Sequence, residues 1–175
     1  MRWIVLLRGI NVGGTGRLPM ADLRAALADA GAENVQSLIA SGNLAFDLGC
    51  ADAAEVGAMV GDVIDAGFGF RPDVMALRPE AVAEALAAQP FPDADGKAVH
   101  LVFPAQGIPE GAVPLLAGHC TGGEAVAAGA HCLYVHYPNG SGRSKLAGRI
   151  ERALGGPATA RNLNTVRRLS AMAEA

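Results

Sequence analysis

A chain of 175 residues with 51% hydrophobic content holds enough apolar material for one domain or two small ones, and a net charge of −3 excludes a chain that is basic throughout. No apolar run approaches the roughly 20 residues needed to cross a bilayer, and Arg8 interrupts Ile4-Val5-Leu6-Leu7 before it reads as a signal peptide; a cytoplasmic protein with no membrane partner is expected. The odd set Cys50, Cys120 and Cys132 contains no C-x-x-C pair, which argues against a disulfide framework.

Arg2 to Ile10 is an apolar run rich in branched residues, and Asn11-Val12-Gly13-Gly14-Thr15-Gly16 follows as a loop. A helix opens near Pro19, carries Leu23, Leu27 and Ala30 on one face and stops at Gly31. Val35 to Ile39 and Leu44 to Leu48 read as a hairpin joined through Ala40-Ser41-Gly42-Asn43. A helix over 53–66 and a strand over 74–77 complete a β-α-β-β-α-β series, the pattern of a ferredoxin-like plait. A further helix follows Pro79 and is broken by Gln89-Pro90-Phe91-Pro92, so a boundary is expected between Glu80 and Asp95, with subdomains at 1–80 and 81–175. Strands are expected at His100 to Phe103, Ala125 to Ala128 and Cys132 to Tyr137, whereas 107–123 reads equally as a short helix or a long loop. Helices over Ser144 to Leu154 and Ala160 to Met172 close the chain, and no internal repeat stands out.

Charge is unevenly placed. Residues 1–46 sum to +1, residues 47–124 to −9 and residues 125–175 to +5, a distribution that favours a local anion site over a long nucleic-acid track. In a plait the loop after β1 and the Ser41-Gly42-Asn43 turn share one end of the sheet. Arg8, Asn11, Ser41 and Asn43 would converge there, with Gly9, Gly13, Gly14 and Gly42 letting a phosphate or carboxylate approach backbone N–H groups. Thr15 stands where a Walker loop needs lysine, so the loop is not of that kind, and ordinary Gly-rich turns are the competing reading.

Asn139-Gly140-Ser141-Gly142-Arg143-Ser144-Lys145 reads as a turn opening a helix with Ser144 at its N-cap, which makes Ser144 and Lys145 candidate anion ligands. Lys145, Arg149 and Arg152 would line one helical face opposite Leu146, Ile150 and Leu154; for Arg149 and Arg152 a solvated surface is the leading interpretation. In the last helix Leu163, Val166 and Leu169 form an apolar stripe that would leave Arg161, Asn164, Thr165 and Arg168 together. Arg161 offers a planar fork to an anion, and Asn162 or Thr165 would orient it; the competing reading makes Thr159 an N-cap and pairs Arg161 with a carboxylate. His119-Cys120, His131-Cys132 and His136 match no zinc signature, so no metal is expected, and no Ser/His/Asp or paired-carboxylate set marks a catalytic centre.

Taken together, Leu7-Arg8-Gly9-Ile10-Asn11-Val12-Gly13-Gly14, Ser41-Gly42-Asn43, Gln89-Pro90-Phe91, Gly142-Arg143-Ser144-Lys145-Leu146 and Thr159-Ala160-Arg161-Asn162 with Asn164-Thr165 resemble the bacterial domain-of-unknown-function family 1697. The blocks run in order across nearly the whole chain. The resemblance implies an α+β protein of two ferredoxin-like subdomains with no established activity. Leu163 stands where the family often has Trp, and Ala40 where Gln is common. The expected function is binding of a phosphorylated small molecule or nucleotide between the two halves. A nucleic-acid-binding module is the rival, weakened because the first and third strands offer only Trp3 and Phe46 for base stacking; a structural or protein-interaction domain is the third reading. Enzymatic activity and any cofactor stay open.

Overall fold

In the computed structural model, residues 1–13, 16–49 and 52–175 are described; Gly14, Thr15 and Cys50 lie outside them. The chain divides into two compact units, Met1–Glu80 with Arg168–Ala175, and Ala81–Arg167.

The first unit contains β1 (Arg2–Leu7), α1 (Met20–Asp29), β2 (Glu33–Leu38), β3 (Asn43–Asp47), α2 (Ala53–Phe68) and β4 (Val74–Leu77). All pairings are antiparallel, in the order β2-β3-β1-β4, which is the ferredoxin-like arrangement. Alternation along β1 sends Trp3, Val5 and Leu7 to the face where Leu44 and Phe46 join them. Leu23 and Leu27 of α1 and Val56, Val60 and Ile64 of α2 cover that face. Each such fully buried side chain contributes about 1.5–3 kcal/mol through lost apolar hydration. Both ends of α2 are specified locally. Asp52 Oδ1 accepts the Ala54 N–H at 2.7 Å, and Gly69 stops the helix in the left-handed conformation.

The second unit begins with most of α3 (Pro79–Ala87). It continues through β5 (Val99–Pro104), α4 (Ala112–Ala117), β6 (Ala125–Ala128), β7 (Leu133–His136), α5 (Ile150–Leu154) and β8 (Ala158–Asn162). Its sheet order β6-β7-β5-β8 repeats the first topology strand for strand. Leu116, Leu133, Val135, Leu146, Ile150 and Leu154 belong to its core. The Tyr134 hydroxyl donates to the Ala85 carbonyl at 2.8 Å, and His131 Nε2 lies 2.8 Å from Glu84 Oε2, which ties α3 to this sheet. The last helix, α6 (Leu163–Glu174), ends in the first unit, where the Arg2 guanidinium donates to the Met172 and Ala173 carbonyls. A cation on these carbonyls satisfies acceptors that a helix end leaves open.

Two sequence-based expectations are corrected. The span 144–154 is not one helix. Short 3₁₀ turns at Ser141–Arg143 and Ala147–Arg149 precede a five-residue α5, because Gly140, Gly142 and Gly148 dilute helix propensity across the segment. Ser144 therefore does not cap a helix: its hydroxyl accepts the Leu146 N–H at 3.1 Å and donates to Glu124 Oε1 at 2.6 Å. The apolar set Leu146, Ile150 and Leu154 is nevertheless buried, and Arg149 and Arg152 are exposed.

Residues 158–162 form a strand, not the start of the final helix. Leu101↔Arg161 and Val102↔Ala160 are cross-strand partners, so ladder hydrogen bonds override a weak local helical pattern. Arg161 consequently does not share a helical face with Asn164, Thr165 and Arg168. The N-cap is Asn162, whose Oδ1 accepts the Thr165 N–H at 2.9 Å, and Thr159 instead accepts from Arg161. Leu163, Val166 and Leu169 are buried as the stripe required.

Candidate functional site

In the first unit, the end of the sheet where β1 exits and the β2–β3 turn lies brings Arg8, Gly9, Asn11, Ser41, Gly42 and Asn43 together. The close approach is real. Leu7 N–H donates to the Gly42 carbonyl at 2.8 Å, and a Cβ on Gly42 would stand 2.7 Å from Leu7 Cβ, at φ +79°.

Much of the polarity gathered there braces the two turns against each other. Asn11, at φ 54°, donates through Nδ2 to the Leu18 and Ala40 carbonyls at 2.9 and 2.7 Å and accepts the Leu18 N–H through Oδ1 at 2.9 Å. Asn43 is fully buried and donates to the Leu38 carbonyl at 3.0 Å and to Ser41 Oγ at 3.1 Å. Arg8 pairs with Asp73 at 3.4 Å. Gly9 and Gly13 adopt positive φ and are exposed, and Gly14 lies outside the described residues.

Beside this brace is an open depression of about 540 Å³ lined by Asn11, Arg17, Leu18, Pro19, Met20, Ser37, Ile39 and Ala40. Arg24 reaches the same wall, donating to Ser37 Oγ at 2.6 Å. Arg17 is exposed, and among the described residues its side chain has no hydrogen-bond or ion-pair partner. The depression also meets the start of α1. Pro19 supplies no side-chain cap, and the first intrahelical bond runs from Leu23 N–H to the Pro19 carbonyl, so the preceding N–H groups have no intrahelical partner. Arg17 and the positive end of a helix dipole therefore border one concavity, whose Ser37 wall holds Arg24; Asp22, in the first turn of α1, is the opposing charge there. Arg17, Arg24 and Ser37 went unflagged in the sequence because only the fold brings α1 and the edge strand β2 alongside the loop.

In the second unit, β7 exits and β8 ends at one end of the sheet, since Val99↔His136 and His100↔Asn162 are neighbouring register pairs. That end carries the Ser144 segment and the β8–α6 junction. Arg161 donates to Thr159 Oγ1 at 2.6 Å and to the Ala160 carbonyl at 2.9 Å. Burial pushes its pKa down to about 10, which still leaves it cationic at neutral pH. Asn162 and the Thr165 backbone are engaged in the cap of α6, and Ser144 lies on Glu124. The Ser144 hydrogen bond is the main reason the Glu124 carboxyl lies below its ordinary range. Lys145 is exposed and, among the described residues, has no side-chain partner.

Among the described residues, Cys120 and Cys132 belong to no metal-binding cluster. Burial pushes the Cys132 thiol up to about 12, His131 is occupied by Glu84, and among the described residues no three His, Cys, Asp or Glu side chains gather. Among the described residues no helix is long and apolar enough to cross a membrane.

The family described as a protein of unknown function, DUF1697, matches residues 1–134. No curated protein matches the chain. Among solved structures, the conserved bacterial protein SP0830 from Streptococcus pneumoniae is similar, with 25% identity, 98% of each chain covered and a TM-score of 0.76.

Proposed function

The chain belongs to the DUF1697 family, whose activity is unknown, and on that footing we propose that it binds a phosphorylated small molecule or nucleotide, with the anion held in the depression of the first unit. The observation that carries this reading is Arg17 in the lining of a depression that meets the uncapped start of α1, with Arg24 held on Ser37 of the same wall. A guanidinium presents a fork of donors matched to phosphate oxygens, and the helix N-terminus adds backbone N–H groups. Asn11, whose amide is engaged with the Leu18 and Ala40 carbonyls, holds a wall of the concavity, and Asn43 braces the neighbouring turn.

Calorimetric titration with inorganic phosphate, pyrophosphate, sugar phosphates and nucleoside mono- and triphosphates tests the proposal on the wild type, Arg17→Ala and Arg24→Ala. Charge-assisted hydrogen bonds contribute about 1.5–3 kcal/mol each, so each substitution should weaken a bound phosphate by about 10–100-fold. Equal affinities in all three proteins would sink the idea.

A nucleic-acid reading draws on one observation. Arg143, Lys145, Arg149, Arg152 and Arg167 of the second unit are exposed and, among the described residues, without side-chain partners. Against it, Trp3 and Phe46 are buried in the first core and offer no stacking platform. Affinity for oligonucleotides that grows with length and falls steeply with salt would favour this reading over the small-molecule one.

A further inference from the structure

The second unit contains a cavity of about 370 Å³ between its sheet and the broken crossover that precedes β8. It falls within the range of about 300–1,000 Å³ typical of small-molecule pockets. Val102 of β5 and Ala158 and Ala160 of β8 form its floor, and the 3₁₀ turn at Ala147–Gly148 with Ile150 forms its roof. A continuous helix would bury this part of the sheet, and the glycine-containing turns leave it open.

Four polar groups interrupt the apolar lining: the His100 imidazole, the Tyr137 and Ser141 hydroxyls and the Glu151 carboxylate. His100 and Tyr137 stand edge to face, ring centroids 5.0 Å apart at 71°. Tyr137 is 2% exposed and lines the cavity, with Glu124 and Cys120 within electrostatic reach of its hydroxyl. Glu151 accepts the Ala158 N–H at 3.0 Å, so its charge is anchored at the wall, and among the described residues no Lys or Arg lines the cavity. This chemistry disfavours a phosphate inside. A saturated hydrocarbon would offer the two hydroxyls no hydrogen-bond partner. A planar, uncharged heterocycle with both donors and acceptors satisfies them while covering the apolar floor.

We propose that this cavity binds the base of a nucleoside, an uncharged nitrogen heterocycle set against the His100 and Tyr137 rings and hydrogen-bonded by Tyr137 and Ser141. The site is independent of the depression lined by Arg17.

Amide NMR titration of the full chain with adenosine, inosine, cytidine and uridine, and with their 5′-monophosphates, tests the assignment. At least one free nucleoside should give saturable shifts at the amides of Val102, Gly148 and Ala158. Tyr137→Phe keeps the ring and removes the hydroxyl, and should weaken binding about five- to tenfold, the scale of one neutral hydrogen bond. Because Tyr137 is buried, a surface variant provides a second test. A Cβ on Gly148 meets nothing within 4 Å and its φ is not left-handed, so Gly148→Leu adds bulk at the roof without strain and should abolish binding. Absence of saturable shifts with all four nucleosides, shifts seen only with monophosphates, or wild-type affinity in Gly148→Leu would each overturn the assignment.

Discussion

The two units run the same β-α-β-β-α-β course with the same strand order, yet their second crossovers differ. In the first, α2 is a 16-residue helix with a side-chain cap at one end and a left-handed glycine at the other, and it lays Val56, Val60 and Ile64 along the sheet. In the second, the connection from β7 to β8 holds two 3₁₀ turns and a five-residue helix, and a cavity opens beneath it. Topology alone therefore does not decide where a plait can hold a ligand. The first unit lays a capped helix along its sheet and braces one end of it with Asn11 and Asn43; in the second, His100, Tyr137, Ser141 and Glu151 line a cavity under the crossover.

The sharpest way to break this comparison is at the brace. Gly42 sits at φ +79° with Leu7 Cβ and Ile10 in the way of any side chain, so Gly42→Ala combines left-handed strain with overpacking. A loss of about 2–4 kcal/mol is expected by denaturant unfolding, with hydrogen-exchange protection falling first in the first unit. Wild-type stability would show that the two turns do not depend on their close approach. Asn162→Ala is the matching cut in the second unit: removing the cap from the Thr165 N–H should cost about 1 kcal/mol. A far larger loss would mean that Asn162 also supports β8.

Most of this architecture was legible because its signals are periodic and local. Leu23 and Leu27 mark α1, a continuous apolar run marks β1, and Gly31, Gly42 and Pro79 fall at element ends. The first plait could thus be laid out strand by strand. In the second, β5, β6 and β7 were marked but β8 was not, because Ala158–Asn162 carries little β preference and owes its state to pairing with β5. The repeat of topology left no repeat of residues. At the candidate site, the sequence already placed its glycines and amides together at one end of the first sheet, because their short-range geometry is stereotyped. It did not point to Arg17, Arg24 and Ser37, or to His100 and Tyr137, whose meeting depends on tertiary structure.

A smaller effect sharpens the comparison of the crossovers. Gly142 and Gly148 both have open space at Cβ and neither has a left-handed φ, so alanine fits at each. Replacing them should stabilise the second unit by about 0.4–1 kcal/mol per site by narrowing the unfolded ensemble. Circular dichroism should then show a gain in helix if glycine content is what interrupts the crossover. Stabilisation without added helix would assign the interruption to the packing of Leu146 and Ile150 instead.

The last distinction is electrostatic. The polar groups most deeply buried in the first unit, Asn43 and Ser170, do not titrate between pH 5 and 8. In the second unit, burial lowers the His100 pKa below its ordinary 6.5, opposed by a hydrogen bond to the Lys97 backbone, with Tyr137 and Glu151 lining the same cavity. The folded state therefore binds fewer protons than the unfolded state between the two His100 pKa values. Its contribution to stability is fully present above about pH 6.5 and is lost as the pH falls through that window. Hydrogen exchange at pH 7.5 and 5.5, corrected for intrinsic rates, should show protection in the second unit falling more than in the first, and His100→Gln should remove the difference. Equal losses in both units, or a difference that survives the substitution, would place the pH response in the surface carboxylates.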